Sequence, residues 1–600
     1  MTRYGVPSSS AVAHVHKVNG IFLLLFSTCL SVAITRAQTQ QSTSDSAVVI
    51  RATTRLVQVD VVVTDGAGHP VKDLSAKDFI ISEDGKPQKV SFFSVHQLGD
   101  LEKRTPPPPL PPHVVTNRPE YQQTEGPVAV LLLDGVNTPA DNQMYVRQQM
   151  LKFMADHFNH RMRVAVLLLS NQLIVLQDFT SDPALLIAAL RNYRSQSSAA
   201  GRQGGADVQL QAPSFAGASI PARGTGQVPT GEVESSRSVA NLSSVLARFE
   251  KETAANSFEM RISTTMDALS AIARYLAGFP GRKNLIWFSA SMPLNLSLVD
   301  AEDLAVYRSY ADRIRETTNL LSDAHVAIYT IDARGLAGTS ISDPSLSGRD
   351  ANGRIKLTVN EQMNAASKEV FERFNKEDTL IKVARETGGR VFLNTNDLNR
   401  AMADALQDGS AYYVLGYYPS RKQSDGKFRV IQVKVAREGV AVRHRRGYYA
   451  IDPLNWRSGG TAEMKTALER GSIGSTGVLF YARAVPPPAA ASVEVKIEFM
   501  VDPHTISFET ISENSHYCNL EFQVQAFTPD GKLVKAEVQQ AEAPLKPQTF
   551  AHIAQNGLPM PVPIKLSPGH YTLRLGVRDN RTGLFGTVEL PLTLDSPAGK

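Results

Sequence analysis

Two cysteines in 600 residues leave almost no room for covalent bracing. Cys29 lies in an apolar leader, so removal of that leader strands Cys518 without an internal disulfide partner. Between Tyr517 and Asn519, in a strand-like stretch, Cys518 reads as a small core residue rather than a nucleophile. Strong charge is also lacking. The formal net charge is +5, and Arg3, Lys17 and Arg36 supply three of it in a leader without acids. The remaining +2 gives no basic surface for nucleic acid. Long apolar runs are few: Ile21 to Ile34 is too short to span a bilayer comfortably, and no later stretch is long and apolar enough. Weakly basic flanks before it and Thr35-Arg36-Ala37 after it predict an export signal over 1–37. The mature protein is then secreted, periplasmic or associated with a bacterial cell envelope. An uncleaved N-terminal anchor is the alternative, while a lipoprotein signal at Cys29 is disfavoured by Phe26.

Catalytic signatures are missing too. There is no Gly-rich phosphate loop, no His-Glu-x-x-His pair and no Gly-x-Ser-x-Gly elbow. The 13 histidines are scattered, and Glu83-Asp84 and Glu302-Asp303 fit turns or helix starts. A hydrolase built from Ser289 or Ser291 with His325 is the weakest reading, because His325 opens a strand at the far end of the sheet from those serines.

What is present is an alternation of folding units. Apolar residues make up 42% of the chain and charged residues 20%, enough for several cores. Strand-like runs at Leu56–Val63, Phe79–Ile81 and Val90–Phe93, separated by Asp-Gly turns, predict a small β-sandwich over 48–97. Prolines 106–109 and 111–112 predict a semi-rigid linker over 98–127. Over 128–450, unbroken apolar runs such as Val128–Leu133, Val164–Leu169, Asn284–Phe288 and Val326–Ile331 alternate with helical patterns. Such runs suit parallel strands buried on both faces, hence a doubly wound α/β sheet. A Gly/Ser/Ala/Gln-rich insertion at 195–237 lacks the apolar area to order itself. A second linker is expected over 451–477, and an immunoglobulin-like all-β unit over 478–594, where Tyr571, Leu573, Leu575 and Val577 alternate with wetter residues. The whole is a multidomain α/β plus all-β chain.

Ligands of open α/β sheets sit at the carboxyl ends of the strands. The first such end is Leu131-Leu132-Leu133-Asp134, followed by Asn137-Thr138 and a helix. This resembles the opening of a von Willebrand factor A-type (VWA) domain, a Rossmann-like fold whose Asp-x-Ser-x-Ser motif holds a divalent cation, usually Mg2+. The resemblance implies metal ligands at Asp134 and Thr138, with Thr264 or Thr265 as the family's separate threonine. Asp332, directly after the strand run Val326–Ile331, is a further candidate ligand for the same rim. The match is incomplete: Val136 replaces the middle serine, and Ser289-Ala290-Ser291 stands where the second aspartate is expected. The competing reading is that Asp134 and Thr138 cap the following helix, and that Asp332 pairs internally with Arg334.

A closer resemblance, over about 50–450, is to the VWFA-related family first noted in Acidobacteria. It rests on Val59-Asp60-Val61-Val62-Val63-Thr64-Asp65, Phe279-Pro280-Gly281-Arg282-Lys283, Tyr329-Thr330-Ile331-Asp332-Ala333-Arg334-Gly335-Leu336, Tyr413-Val414-Leu415-Gly416-Tyr417 and Arg445-Arg446-Gly447-Tyr448-Tyr449. It implies the fold and no particular reaction. The expected function is a non-enzymatic binding or adhesion module for a protein or envelope ligand. The alternative is a structural envelope component on a degenerate scaffold with no metal.

Overall fold

The computed structural model describes residues 56–97, 107–121, 127–158, 162–193, 256–291, 304–335, 377–408, 410–452, 460–485, 494–512 and 515–594, with 253 and 367. The expected export signal over 1–37 and the expected insertion over 195–237 lie outside the described residues. The chain opens with β1 (Val57–Thr64), β2 (Phe79–Glu83), β3 (Lys86–Gln88), β4 (Val90–Gln97) and a short β5 (Val114–Thr116). It continues through β6 (Val128–Asp134), α1 (Ala140–Asp156), β7 (Arg163–Leu169), β8 (Leu173–Thr180), α2 (Pro183–Asn192), α3 (256–276) and β9 (Lys283–Ser289). Next come α4 (Leu304–Asp323), β10 (Val326–Asp332), α5 (377–387), β11 (Val391–Phe392) and α6 (Leu398–Gln407). Then follow β12 (Ala411–Tyr417), β13 (Phe428–Val435), β14 (Ala441–His444), β15 (Gly447–Tyr449) and α7 (Gly460–Ala467). The C-terminal portion holds β16 (Phe480–Val485), β17 (Glu494–Val501), β18 (Glu509–Ser512), β19 (Ser515–Phe527), β20 (Leu533–Leu545), α8 (Pro547–Asn556), β21 (Leu558–Lys565), β22 (Gly569–Asp579) and β23 (Phe585–Leu594).

The central sheet has the order β11-β10-β9-β6-β7-β8, parallel except for β8 at its edge. Every residue of β6, β7, β9 and β10 is buried, because helices cover both faces. Alternate side chains serve opposite cores. Val130, Leu132 and Trp287 pack with Leu269, Ile272 and Leu276 of α3 and Leu321 of α4. Leu131, Leu133 and Phe288 pack with Met150 and Phe153 of α1, Leu186 of α2 and Met402 of α6. The chain winds outward from β6 in one direction, then returns to β9 and winds in the other. The carboxyl ends of β6 and β9 therefore flank the topological switch point.

The β-sandwich expected over 48–97 is not closed by those residues. Its sheets are β14-β1-β12-β4 and β15-β13-β2-β3, so strands from 57–97 interleave with strands from 411–449. The reason is burial: Val59, Val61 and Val63 of β1 find their apolar partners in Tyr413, Leu415 and Tyr417 of β12 and Val433 of β13. The α/β region is thus an insertion within this sandwich, and the expected boundary at 450 falls past its last strand. Tyr412, Tyr413 and Tyr417 are buried and only Tyr418 of that group is exposed. The sandwich covers the amino ends of the parallel strands. There the Tyr412 hydroxyl accepts from the Arg282 N–H at 3.0 Å and Asp60 accepts from His325 Nδ1 at 3.0 Å.

Neither expected linker is free-standing. Within 98–127, β5 adds an edge strand to β16. Asn117 then pins it, donating to the carbonyls of Ser475 and Val478 and accepting from the Phe480 N–H. Within 451–477, α7 buries Met464 beside Phe585, and Gly278 N–H donates to Thr476 Oγ1 at 2.8 Å. The C-terminal unit is a β-sandwich of β21-β17-β16-β5 over β18-β19-β22-β23, with β20 beside β19. Its core includes Phe480, Phe499 and Phe522, together with Cys518. Gly586 in β23 faces the backbone of Val478 so closely that an added Cβ would lie 1.8 Å from its carbonyl oxygen. Gly586→Ala is expected to destabilise the protein by about 2–3 kcal/mol through overpacking against main chain that cannot retreat. A fall in the urea midpoint checks this; an unchanged midpoint would show that the strand yields.

Candidate functional site

Asp134 ends β6 at the switch point and is 2% exposed. Its Oδ1 accepts from the backbone N–H groups of Val136 (3.0 Å) and Asn137 (2.8 Å), which folds the following loop back over the carboxylate. Its Oδ2 accepts from Asn137 Nδ2 (2.9 Å), Trp287 Nε1 (3.1 Å) and Ser289 Oγ (2.8 Å). The helix-cap reading of Asp134 therefore fails. The N-cap of α1 is Pro139, which offers no side-chain bond, and Asp134 organises the loop instead. Burial pushes the Asp134 carboxyl above its usual range, while donation from Asn137, Ser289 and Val136 opposes that rise.

The second lip of the crevice is Ser289-Ala290-Ser291. Ala290 N–H donates to Thr138 Oγ1 at 3.2 Å, and Ser291 Oγ lies 3.4 Å from the carbonyl of Asn137. The α3 helix closes the back. Thr265, fully buried, accepts from Asn137 Nδ2 at 3.0 Å. One turn earlier on the same face, Arg261 donates from Nε to Asn137 Oδ1 at 3.0 Å and from Nη2 to Ser291 Oγ at 3.3 Å. Burial lowers the Arg261 pKa, Asp134 opposes this, and the guanidinium stays a cation throughout the physiological range.

Of the residues expected at this rim, the structure gathers Asp134, Thr138 and Thr265. Thr264 shows no bond to the cluster and is only half-buried. Asp332 lies one strand over, in register with Ser289, but its carboxylate is held by Arg334 at 2.7 Å (Nη2) and 2.9 Å (Nε). Val136 turns away into the core beside Met266. Three contributors were not singled out from the sequence: Asn137 as a bridging side chain, Trp287 and Arg261. Only Arg261 had a local signal, four residues before Thr265 on a helical pattern.

These donors do not fit a divalent cation. Mg2+ takes octahedral oxygen ligands at about 2.0–2.1 Å, which requires free lone pairs. Five N–H and O–H donors already occupy the Asp134 carboxylate, Thr138 Oγ1 accepts a backbone N–H, and the Arg261 guanidinium sits against the neighbouring Asn137 and Ser291. Among the described residues no group of three or more His, Cys, Asp or Glu could hold a metal.

No protein-family model matches the chain, and no curated protein does. Solved structures give slight likenesses. An aerotolerance-related membrane protein from Bacteroides fragilis is 12% identical, with 47% of this chain and 98% of that one covered at a TM-score of 0.21. The conserved hypothetical protein BatB from Bacteroides thetaiotaomicron is 10% identical, with coverage of 47% and 97% and a TM-score of 0.18. The pilus adhesin SpaC from Lactobacillus rhamnosus GG is 10% identical, with coverage of 78% and 53% and a TM-score of 0.18. Likenesses this slight bear on neither fold nor activity.

The serines and the histidine of the weakest sequence reading are far apart. The β9–β10 pairing fixes their places: Val326, next to His325, lies opposite Lys283, whereas Asp332 lies opposite Ser289. Strand rise over that length separates the two ends by about 20 Å. His325 bonds to Asp60 of the sandwich, so it has no part in proton transfer at Ser289.

Proposed function

We propose that this chain is an exported binding module whose VWA-type α/β unit engages a protein or envelope ligand at the β6/β9 rim without a metal ion. The observation that carries this reading is the saturated Asp134 cluster at the switch point. It is a buried, densely hydrogen-bonded polar cluster at the place where such sheets take ligands, with neither a nucleophile–base pair nor open metal positions among the described residues. Rigidity favours binding because little ordering remains to be done on association. The first β unit grips the α/β unit through Asp60–His325, the α7 segment ahead of the second grips it through Arg274–Glu463, and the two β units serve as spacers that orient the rim. The immunoglobulin-like character of the C-terminal sandwich belongs to the same proposal.

The test is capture from an envelope extract of the producing bacterium by the immobilised chain. The same partner is expected in EDTA and in Mg2+, within about twofold. Ser291→Tyr, which fills the crevice mouth, should abolish it. Equal capture by Ser291→Tyr would move the site elsewhere, and the absence of any reproducible partner would favour a purely structural role.

A further inference from the structure

The C-terminal sandwich protects one of its edges and leaves the neighbouring one open. β21 is the edge strand of its sheet and carries Pro559, Pro561 and Pro563 at every second position. Proline has no N–H to give, and a strand tolerates it where that N–H would face away from the neighbouring strand. This spacing strips the free side of β21 of donors, a common defence against pairing with another chain. β20 lies beside it, at the edge of the other sheet. Among the described residues β20 pairs with β19 alone, and from Leu533 to Ala543 it has no proline. It runs for 13 residues, and Val534 and Val538 on it are 44% and 58% exposed. An open strand edge of this length with apolar side chains is a template for one more strand.

The charges along this edge indicate which strand fits. Lys535 and Glu537 both reach solvent, share one face of the strand and pair with each other at 3.0 Å. Antiparallel pairing of the segment with its own copy, about a two-fold axis at Ala536, sets Lys535 opposite the partner's Glu537 and Glu537 opposite the partner's Lys535. The four charges then alternate in sign around the axis. The same register sets Val534 opposite the partner's Val538, twice over. Val534 sits at a bulge that leaves it without a cross-strand partner on β19. Moving the axis by one residue sets Lys535 opposite the partner's Lys535, or Glu537 opposite the partner's Glu537, and like charges directly opposite are destabilising.

We propose that β20 is a homotypic docking edge, through which two copies of this chain join antiparallel about Ala536 and carry the sheet from one copy into the other. A pairing this short gives a reversible dimer rather than a permanent one. The docking edge is independent of the ligand-binding reading of the β6/β9 rim.

The test is sedimentation equilibrium of the full chain from about 1 to 100 μM, where a monomer–dimer equilibrium is expected. Lys535→Glu and Glu537→Lys each gather four like charges around the axis and should weaken dimerisation at least about tenfold. Both positions lie at the surface, so each variant should stay folded, which far-UV circular dichroism checks. The double variant K535E/E537K exchanges the charges and should recover dimerisation to within about threefold of the parent. An equimolar mixture of the two single variants should form a mixed dimer, since one copy then supplies the acids and the other the lysines. A chain that stays monomeric throughout, a dimer that neither single substitution weakens, or a loss that the double variant and the mixture fail to restore would each overturn the proposal.

Discussion

Asp134→Ala should remove about 4 kcal/mol of stability, far more than loss of one carboxylate on a surface would. The side chain is the common acceptor for the indole of Trp287, the amide of Asn137, the hydroxyl of Ser289 and two loop N–H groups, all buried. Truncation leaves these donors facing one another in a cavity, and each buried donor without an acceptor costs about 1–3 kcal/mol, though not additively. Asp134→Asn separates hydrogen bonding from charge. It lifts the penalty of burying a carboxylate, the cause that pushes this group's pKa up, but turns one acceptor atom into a donor. If hydrogen bonding dominates, asparagine destabilises by about 2 kcal/mol, less than alanine but still measurably. Urea unfolding followed by tryptophan fluorescence measures both. An alanine variant within about 1 kcal/mol of the parent, on the order of an ordinary surface change, would mean that the loop finds other acceptors and that Asp134 does not organise the rim.

The second large effect lies at the opposite end of the sheet. Lys283 is 1% exposed, donates from Nζ to the Ala324 carbonyl at 2.8 Å, and has its pKa lowered to about 7 by burial, with Asp60 opposing. The folded pKa of this base is below its unfolded value of 10.5, so between about pH 7 and 10.5 the unfolded chain binds a proton that the native protein refuses. Stability therefore rises with pH across that window. The burden is full below about pH 7 and vanishes above 10.5, and is on the order of 5 kcal/mol. Lys283→Met keeps the length and the apolar stem, so it should be more stable than the parent at pH 7 despite leaving the Ala324 carbonyl without its donor. It should also lose most of the rise between about pH 7 and 10. Urea midpoints at several pH values decide this. The same slope in both proteins would mean that Asp60 keeps Lys283 charged at little cost and that another group titrates.

The two ends of the sheet divide the work. At the amino ends, the first sandwich seals a cluster of Asp60, His325, Arg282 and Lys283 against the α/β unit. At the carboxyl ends of β6 and β9, polar side chains from three elements are locked into one crevice. Polar satisfaction of this completeness favours a single geometry, because any rearrangement strands a buried donor or acceptor. A single fixed geometry suits the proposed recognition role.

The central sheet was legible before any coordinates. Runs such as Val128–Leu133 and Val164–Leu169 carry no polar residue from end to end, and only a strand covered on both faces accommodates that. Asp134 and Thr138 were legible too, since an acid and a hydroxyl directly after a buried strand lie at the rim wherever the rest of the chain goes. Their partners were not. Trp287 meets Asp134 across 153 residues, Asn137 meets Thr265 across 128, and Tyr413 meets Leu74 across 339. No local periodicity encodes such separations, so the shared sandwich of 57–97 with 411–449 and the strand hidden in the proline-rich segment emerged only with the fold. The physical reason is that period and polarity fix which face of an element is buried, whereas the identity of the side chain met there depends on how distant elements pack.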